Sequence, residues 1–143
     1  MIMADATFHV SIITPDGTVY DDDTTMLIVT TGTGEMGLMA DHLPLIASLT
    51  IGELTVKHAD TGDHDTFVAV NGGYVKFDGQ HAEVIADSAE LQKNIDVKRA
   101  QNAKARAEKS IQHAREVNDP DELSRGQVHL ARAINRLRVS NEN

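Results

Sequence analysis

Three features of this 143-residue chain predict an α+β fold, an N-terminal antiparallel β-sandwich followed by a C-terminal two-helix antiparallel hairpin. Apolar residues recur with period two from Thr7 to Asp87 and with helical period after Asn94. Charge divides at the same place. Residues 1–90 carry 2 basic against 15 acidic side chains, net −13, and residues 91–143 carry 11 against 7, net +4, within an overall charge of −9. The five aromatics, Phe8, Tyr20, Phe67, Tyr74 and Phe77, all lie in the first part, while Ala, Arg and Lys crowd the second. These shifts place a sandwich over residues 1–88 and a hairpin over 89–143.

The strands come first. In "TFHVSII" Phe8, Val10 and Ile12 alternate with His9 and Ser11, and "TMLIVTT", "DTFVAVN", "GYVKF" and "HAEVIAD" are short and rich in β-branched residues. Turn signals separate them: "PDG" at 15–17, "DTGD" at 60–63, "NGG" at 71–73 and "DG" at 78–79. Strands this closely spaced, with no helix-length stretch between them, predict hairpins that close into a sandwich or flattened barrel. Asn94 is then placed to cap a first helix, whose seam follows a 3-4-3-4-3 spacing at residues 100, 103, 107, 110, 114 and 117, filled by Ala, Ala, Ala, Ser, Ala and Val. "NDPDEL" stops that helix and starts another, with Asp119 as N-cap, Pro120 at the first helical position and Glu122 as capping-box partner. The second helix runs through Leu123, Leu130, Ile134 and Leu137, with Gly126 in its interior at a cost of about 1 kcal/mol relative to Ala. At 1.5 Å per residue the two helices span about 35 and 28 Å.

Composition removes several function classes. Without cysteine there is no disulfide, thiolate metal site or thiol nucleophile, which fits a reducing, cytoplasmic setting. No signal-peptide pattern and no run of about 18 apolar residues is present, so the expectation is a protein neither exported nor membrane-spanning, held at any membrane by another subunit. "GTGEMG" at 32–37 fits a dinucleotide fingerprint, but Pro44 follows too soon for the helix that fingerprint must open, and the glycines read as a tight turn. The histidines offer no i, i+4 pair with a third ligand, so no metal is expected. His42, beside Pro44 in a loop, stands apart from the rest. "DDD" at 21–23 reads as a solvated turn rather than a cation site.

The hairpin carries the better organised chemistry. An alanine seam buries little, about 0.8 kcal/mol per methyl, so two readings compete: a hairpin held loosely enough to leave the sandwich, and a rigid appendage docked on it. Arg132 and Arg136 are spaced i, i+4 and project from one helical face; antiparallel packing brings Arg99 alongside Arg136, with Glu90 and Asp96 at the same end. Three guanidinium groups with flanking carboxylates suit a polyphosphate on an amine-bearing base. The competing reading is salt bridging, such as Asp96 to Arg99 or Arg136.

Several motifs in order bring a family into view. "GEMGLMADHLPLIASLTIGEL", "NGGYVKF", "IDVKRA" and "RAINRL" resemble, over essentially the whole chain, the epsilon subunit family of bacterial F-type ATP synthases. The resemblance implies a non-catalytic part of the central stalk. Its sandwich would contact the gamma subunit and the ring of c subunits, coupling proton-driven rotation to ATP synthesis. Its hairpin would be a switch, folded on the sandwich or extended toward the alpha and beta subunits, where it impedes ATP hydrolysis. The implied location is the cytoplasmic side of the bacterial cell membrane, peripheral, touching the bilayer only through the c ring. In some family members the folded form binds ATP as a regulatory ligand. The matching positions here are Glu90, Ile95, Asp96, Arg99, Ala100, Arg132 and Arg136. Glu35 and His42 are assigned by the same resemblance to the end of the sandwich facing gamma and the c ring. Ala40 and Asp41 depart from the family's usual Pro and Gly. Two rivals fit less well. A nucleic-acid module would want aromatics on the basic arm, and an enzyme acting on ATP would want a general base and metal carboxylates.

Overall fold

The computed structural model describes residues 6–58 and 65–142. The strands are β1 (Phe8–Thr14), β2 (Gly17–Thr24), β3 (Met26–Thr31), β4 (Gly34–Leu38), β5 (Leu45–Lys57), β6 (Thr66–Phe77), β7 (His81–Ala86) and β8 (Ala89–Leu91). A 3-10 turn (Gln92–Asn94) leads into α1 (Val97–Val117) and α2 (Pro120–Ser140). The α+β class and the order of sandwich then hairpin are as predicted. The turn expected at "DTGD" lies outside the described residues.

The sheet runs β2-β1-β7-β6-β5-β3-β4, with β8 joined to β6. Alternation does what the period promised: Phe8, Val10 and Ile12 of β1 and Val75 and Phe77 of β6 point inward with Leu27, Val29, Leu54, Val56 and Val84 to form one dry core. Four details differ from expectation. The pair β1–β7 is parallel, because alternation reports a half-buried face and not the direction of the neighbouring strand. "NGG" is no turn; Asn71, Gly72 and Gly73 run inside the 12-residue β6, where positive φ at the two glycines (91° and 125°) bends one strand between two halves of the sheet. "DDD" is not a turn either but part of the edge strand β2, where Asp21 and Asp23 grip the two ring nitrogens of His9, the latter at 2.9 Å. Lining an edge with carboxylates blocks pairing by another chain. Finally, β8 carries the sheet past residue 88, up to Leu91.

Both helices are 21 residues long, about 31 Å at 1.5 Å per residue, so the first is shorter than expected and the second longer. Asp96, not Asn94, is the cap of α1: its Oδ1 accepts the Arg99 N–H at 3.0 Å. Asp119 caps α2 through the N–H groups of Asp121 and Glu122, both at 3.1 Å. Glu122 does not complete a capping box. Its carboxylate reaches across to Ser110 (3.3 Å) and to His113 (3.0 Å), tying the two helices together beside the turn. The seam also differs. Ala100, Ala107 and Ala114 are buried as expected, but Ile111 joins them and Val117 is exposed; on α2 the buried set is Gly126, Ala133, Asn135 and Val139, while Ile134 faces outward. Gly126 is explained by this seam, since a Cβ there would lie 2.9 Å from Ile111 Cγ1. The helix tolerates its low propensity because nothing larger lets the two backbones approach.

The hairpin lies against the sandwich through α2. Val139 packs with Phe67 and Ala69 of β6 and with Ile95. The buried Asn135 donates from Nδ2 to Gly52 O at 3.0 Å and accepts at Oδ1 from Arg138 Nη2 at 3.0 Å. Residues 50–54 of β5 have no partner on β3 because the register of that pair shifts there. In that stretch the Thr30 hydroxyl takes Glu53 O at 2.9 Å, and Asn135 takes Gly52 O. Among the described residues no helix is long and apolar enough to cross a membrane.

Candidate functional site

A cavity of about 400 Å³ opens between the two helices. Its lining from α1 is Ala103, Arg106, Ala107 and Ser110; from α2 it is Arg125, Gly126, His129, Arg132 and Arg136. The small residues that let the helices approach form its floor, and guanidinium groups form its walls. The Nε atoms of Arg132 and Arg136 are buried without a hydrogen-bond acceptor among the described residues. Arg136 Nε lies 3.5 Å from Glu90 Oε1, near enough for charge attraction but off the line of a hydrogen bond, and half-exposed at both side chains. Four arginines with one flanking carboxylate leave a large surplus of positive charge and of N–H donors, which suits a ligand carrying several anionic oxygens.

The other predicted residues divide into those that build this site and those that stand beside it. Glu90, on β8, is the acid facing Arg136. Ile95 is half-buried in the Phe67, Ala69 and Val139 cluster, so it fastens the start of the hairpin to the sandwich. Asp96 is the helix cap, and its neighbour Ala100 is buried in the seam. Arg99 is exposed and does not line the cavity. It stands four residues before Ala103 and seven before Arg106, on the same helical stripe at the open end. Of the expected trio, Arg132 and Arg136 line the cavity, and Arg106 and Arg125 line it with them. The added residues had a signal in the sequence: 125, 129, 132 and 136 follow a 4-3-4 spacing that continues the Arg132–Arg136 stripe back by two turns. Asn135 had none, because a polar side chain on an apparent outer face gives no hint of the bulged strand it meets.

Glu35 and His42 do not form one constellation. Glu35 is exposed on β4 opposite Thr30, and His42 is exposed in the loop after that strand, its Nδ1 paired with Leu43 O at 3.0 Å. Asp41 there holds φ of 66°, the left-handed conformation for which glycine is the ordinary choice. A second cavity of about 350 Å³ is lined by Asp41, His42, Leu43, Pro44, Asp78, Gly79 and Gln80. The backbone N–H groups of Gln80 and His81 hold the Asp78 carboxyl below its usual range, so this rim stays anionic. Leu43 in this lining is 78% exposed, and Ile46 of β5, two residues beyond Pro44, is 71% exposed.

A bent sandwich followed by an arginine-lined helical pair defines a two-domain class of chain. Two family models match in succession, ATP synthase delta/epsilon chain, beta-sandwich domain over residues 7–92, and ATP synthase delta/epsilon chain, long alpha-helix domain over 93–141. The chain is 52% identical to the ATP synthase epsilon chain of Pediococcus pentosaceus, across 92% of this chain and 93% of that one. It is 48% identical to the ATP synthase epsilon chain of Levilactobacillus brevis, across 96% and 99%. A chain in the Euglena gracilis mitochondrial ATP synthase shares its fold, with a TM-score of 0.74 at 20% identity over 88% of this chain and 76% of that one. The chain belongs to the ATP synthase delta/epsilon family.

Proposed function

We propose that this chain is the epsilon subunit of an F-type ATP synthase rotor, a non-catalytic piece of the central stalk whose hairpin is a brake on ATP hydrolysis governed by ATP itself. The sandwich works against the gamma subunit and the c ring on the cytoplasmic side of the membrane, through the exposed loop carrying His42 and Leu43 and the neighbouring Glu35 strand. The hairpin has two postures, docked on the sandwich and extended toward alpha and beta, and ATP binds the docked one.

The observation that carries this reading is the arginine-walled cavity of about 400 Å³ with two buried Nε–H groups lacking acceptors. A triphosphate supplies those acceptors and neutralises the wall, and the cavity is of ordinary ligand size. Arg99, exposed and seven residues before Arg106 on the same helical face, folds over the bound phosphates in this reading, and Glu90 and Asp96 offer acceptors to an amino group on the base. No covalent step is involved. Binding to one posture shifts the equilibrium by RT ln(1 + [ATP]/Kd), about 2.7 kcal/mol at a hundred times Kd. Abundant ATP thus keeps the hairpin docked and the brake off, and depletion releases it.

Hydrogen exchange of the isolated chain with and without ATP tests the proposal. Protection over residues 97–140 should rise with ATP in the wild type, and not in Arg136→Ala or Arg99→Ala protein. Wild-type exchange that ignores millimolar ATP would refute it.

A further inference from the structure

His129 occupies the middle of the α2 arginine stripe, four residues after Arg125 and three before Arg132. It lines the same cavity as those side chains. Arg106 and Ser110 face that space from α1, and Arg125, Arg132 and Arg136 from its own helix; no carboxylate is among the lining residues. Two acids stand close to it: Glu90 on β8, 3.5 Å from Arg136 Nε at one end, and Glu122, which accepts from the lining Ser110 hydroxyl at 3.3 Å at the other. The contrast with the other hairpin histidine is sharp: His113 meets the Glu122 carboxylate at 3.0 Å, whereas His129, exposed on α2, shares its cavity with four arginines and no acid.

Imidazole is the side chain that changes charge between about pH 5 and 8. A polyphosphate bound beside the ring sets anionic oxygens where an imidazolium adds an N–H donor and a positive charge to the anion's surroundings. Proton and anion therefore favour each other's binding, and by linkage each raises the affinity for the other by one common factor. Glutamine or asparagine at this position would supply a donor without that coupling, and arginine would supply charge at every pH.

We propose that His129 is a proton-dependent phosphate ligand of the hairpin cavity, so that ATP bound among the arginines recruits a proton and ATP affinity rises on acidification. This rests on the ATP reading of the cavity given above. Its consequence is that a falling cytoplasmic pH would hold the hairpin docked at an ATP concentration that no longer does so at neutral pH.

ATP affinity of the full chain is to be measured by calorimetry, with EDTA present, at pH 8 and pH 5.5 for the wild type, His129→Gln and His129→Lys. The terminal phosphate of ATP titrates in the same range, but it does so for every variant, so the ratio of wild-type to His129→Gln affinity isolates the imidazole. That ratio should be near unity at pH 8 and about fivefold at pH 5.5, a coupling at the low end of the usual range. His129→Lys should bind more tightly than His129→Gln at both values. A ratio that stays constant with pH overturns the role of His129 while wild-type binding upholds the ATP site. Failure of the wild type to bind ATP at either pH overturns both.

Discussion

Asn135→Ala tests whether one buried amide governs the posture of the hairpin. In the docked state its Nδ2–H donates to Gly52 O at 3.0 Å, while the approach to Val70 O at 3.5 Å is too long to count for much. The residue is 1% exposed, so water does not replace the amide once it is removed. Losing the bond costs about 1 kcal/mol net, and leaving Gly52 O buried without a donor costs about 1–3 kcal/mol at the full desolvation penalty. Because the two overlap, a combined value of about 2 kcal/mol is reasonable, charged almost entirely to the docked state, since an undocked Asn135 is solvated. At 1.4 kcal/mol per factor of ten, undocking becomes about thirtyfold more frequent. The assay is native-state hydrogen exchange on peptides spanning residues 130–141 and 66–72, the two sides of the contact. Both should lose protection by that factor, with the strands of the main core unchanged. Unchanged exchange on both sides, or equal loss through the whole sandwich, would refute the reasoning.

Three further outcomes follow from named groups. Burial first, and then the Glu142 carboxylate, push the Glu53 carboxyl above its usual range at the foot of the hairpin. A raised value in the docked state means that this state holds the proton more tightly, so the contribution is fully present below about 4.5, the ordinary carboxyl value, and is lost as pH rises through the raised one. Hairpin protection should therefore strengthen as pH falls from 7 toward 4.5, and Glu53→Gln should flatten that dependence; a steeper one would contradict it. Gly126→Leu places a side chain where even a Cβ would meet Ile111 Cγ1 at 2.9 Å, and should lower the midpoint of helical unfolding by circular dichroism, at a cost of about 2 kcal/mol, despite leucine's better helix propensity. Asp96→Ala should fray the first turn of α1 at about 1 kcal/mol, read as faster exchange of the Arg99 amide, whereas Asp96→Asn keeps the cap.

What was legible in the sequence was whatever repeats. Period-two alternation announced β1, β3, β7 and the two halves of β6, and the Asp119–Pro120 pair announced the start of α2 to the residue. The strand β5 escaped notice because its 13 residues alternate imperfectly, with a burial pattern broken around the bulge at 50–54. "NGG" misled for a related reason: the same positive φ that makes a hairpin turn also bends a continuous strand, and local chemistry does not distinguish them. The arginines were half visible. Arg132 and Arg136 share a face by spacing alone, but counting back from the turn, which set Arg99 beside Arg136, does not show which α1 residues face the space between the helices; Ala103, Arg106, Ala107 and Ser110 line it.

The order in which the parts come loose follows from what each contact is made of. Sixteen buried residues form the sandwich core, including Phe77, Ile12 and Leu27 at no more than 1% exposure, whereas the hairpin meets the sheet through Phe67, Ala69, Val139 and the partly covered Ile95. Between those extremes lies the helix pair, closed by three alanines and Ile111 against Gly126 and Ala133, and clamped near its turn by Glu122 on Ser110 and His113. Small side chains bury little area, yet they bring backbones close and keep the two helices in one register. The least buried surface is thus the one between hairpin and sandwich, so the two postures proposed above require the hairpin to depart as a folded pair before either the pair or the sandwich opens. A ligand seated between the helices does not touch that surface, and its hold on posture must pass through the shape of α2. Arg132 and Arg136 bracket Asn135 within one turn, so a phosphate that fixes their backbone fixes the amide that reaches Gly52. With ATP bound as proposed, that binding and the Asn135 contact are coupled, and the double variant Asn135→Ala, Arg136→Ala should undock less than the sum of the two single variants.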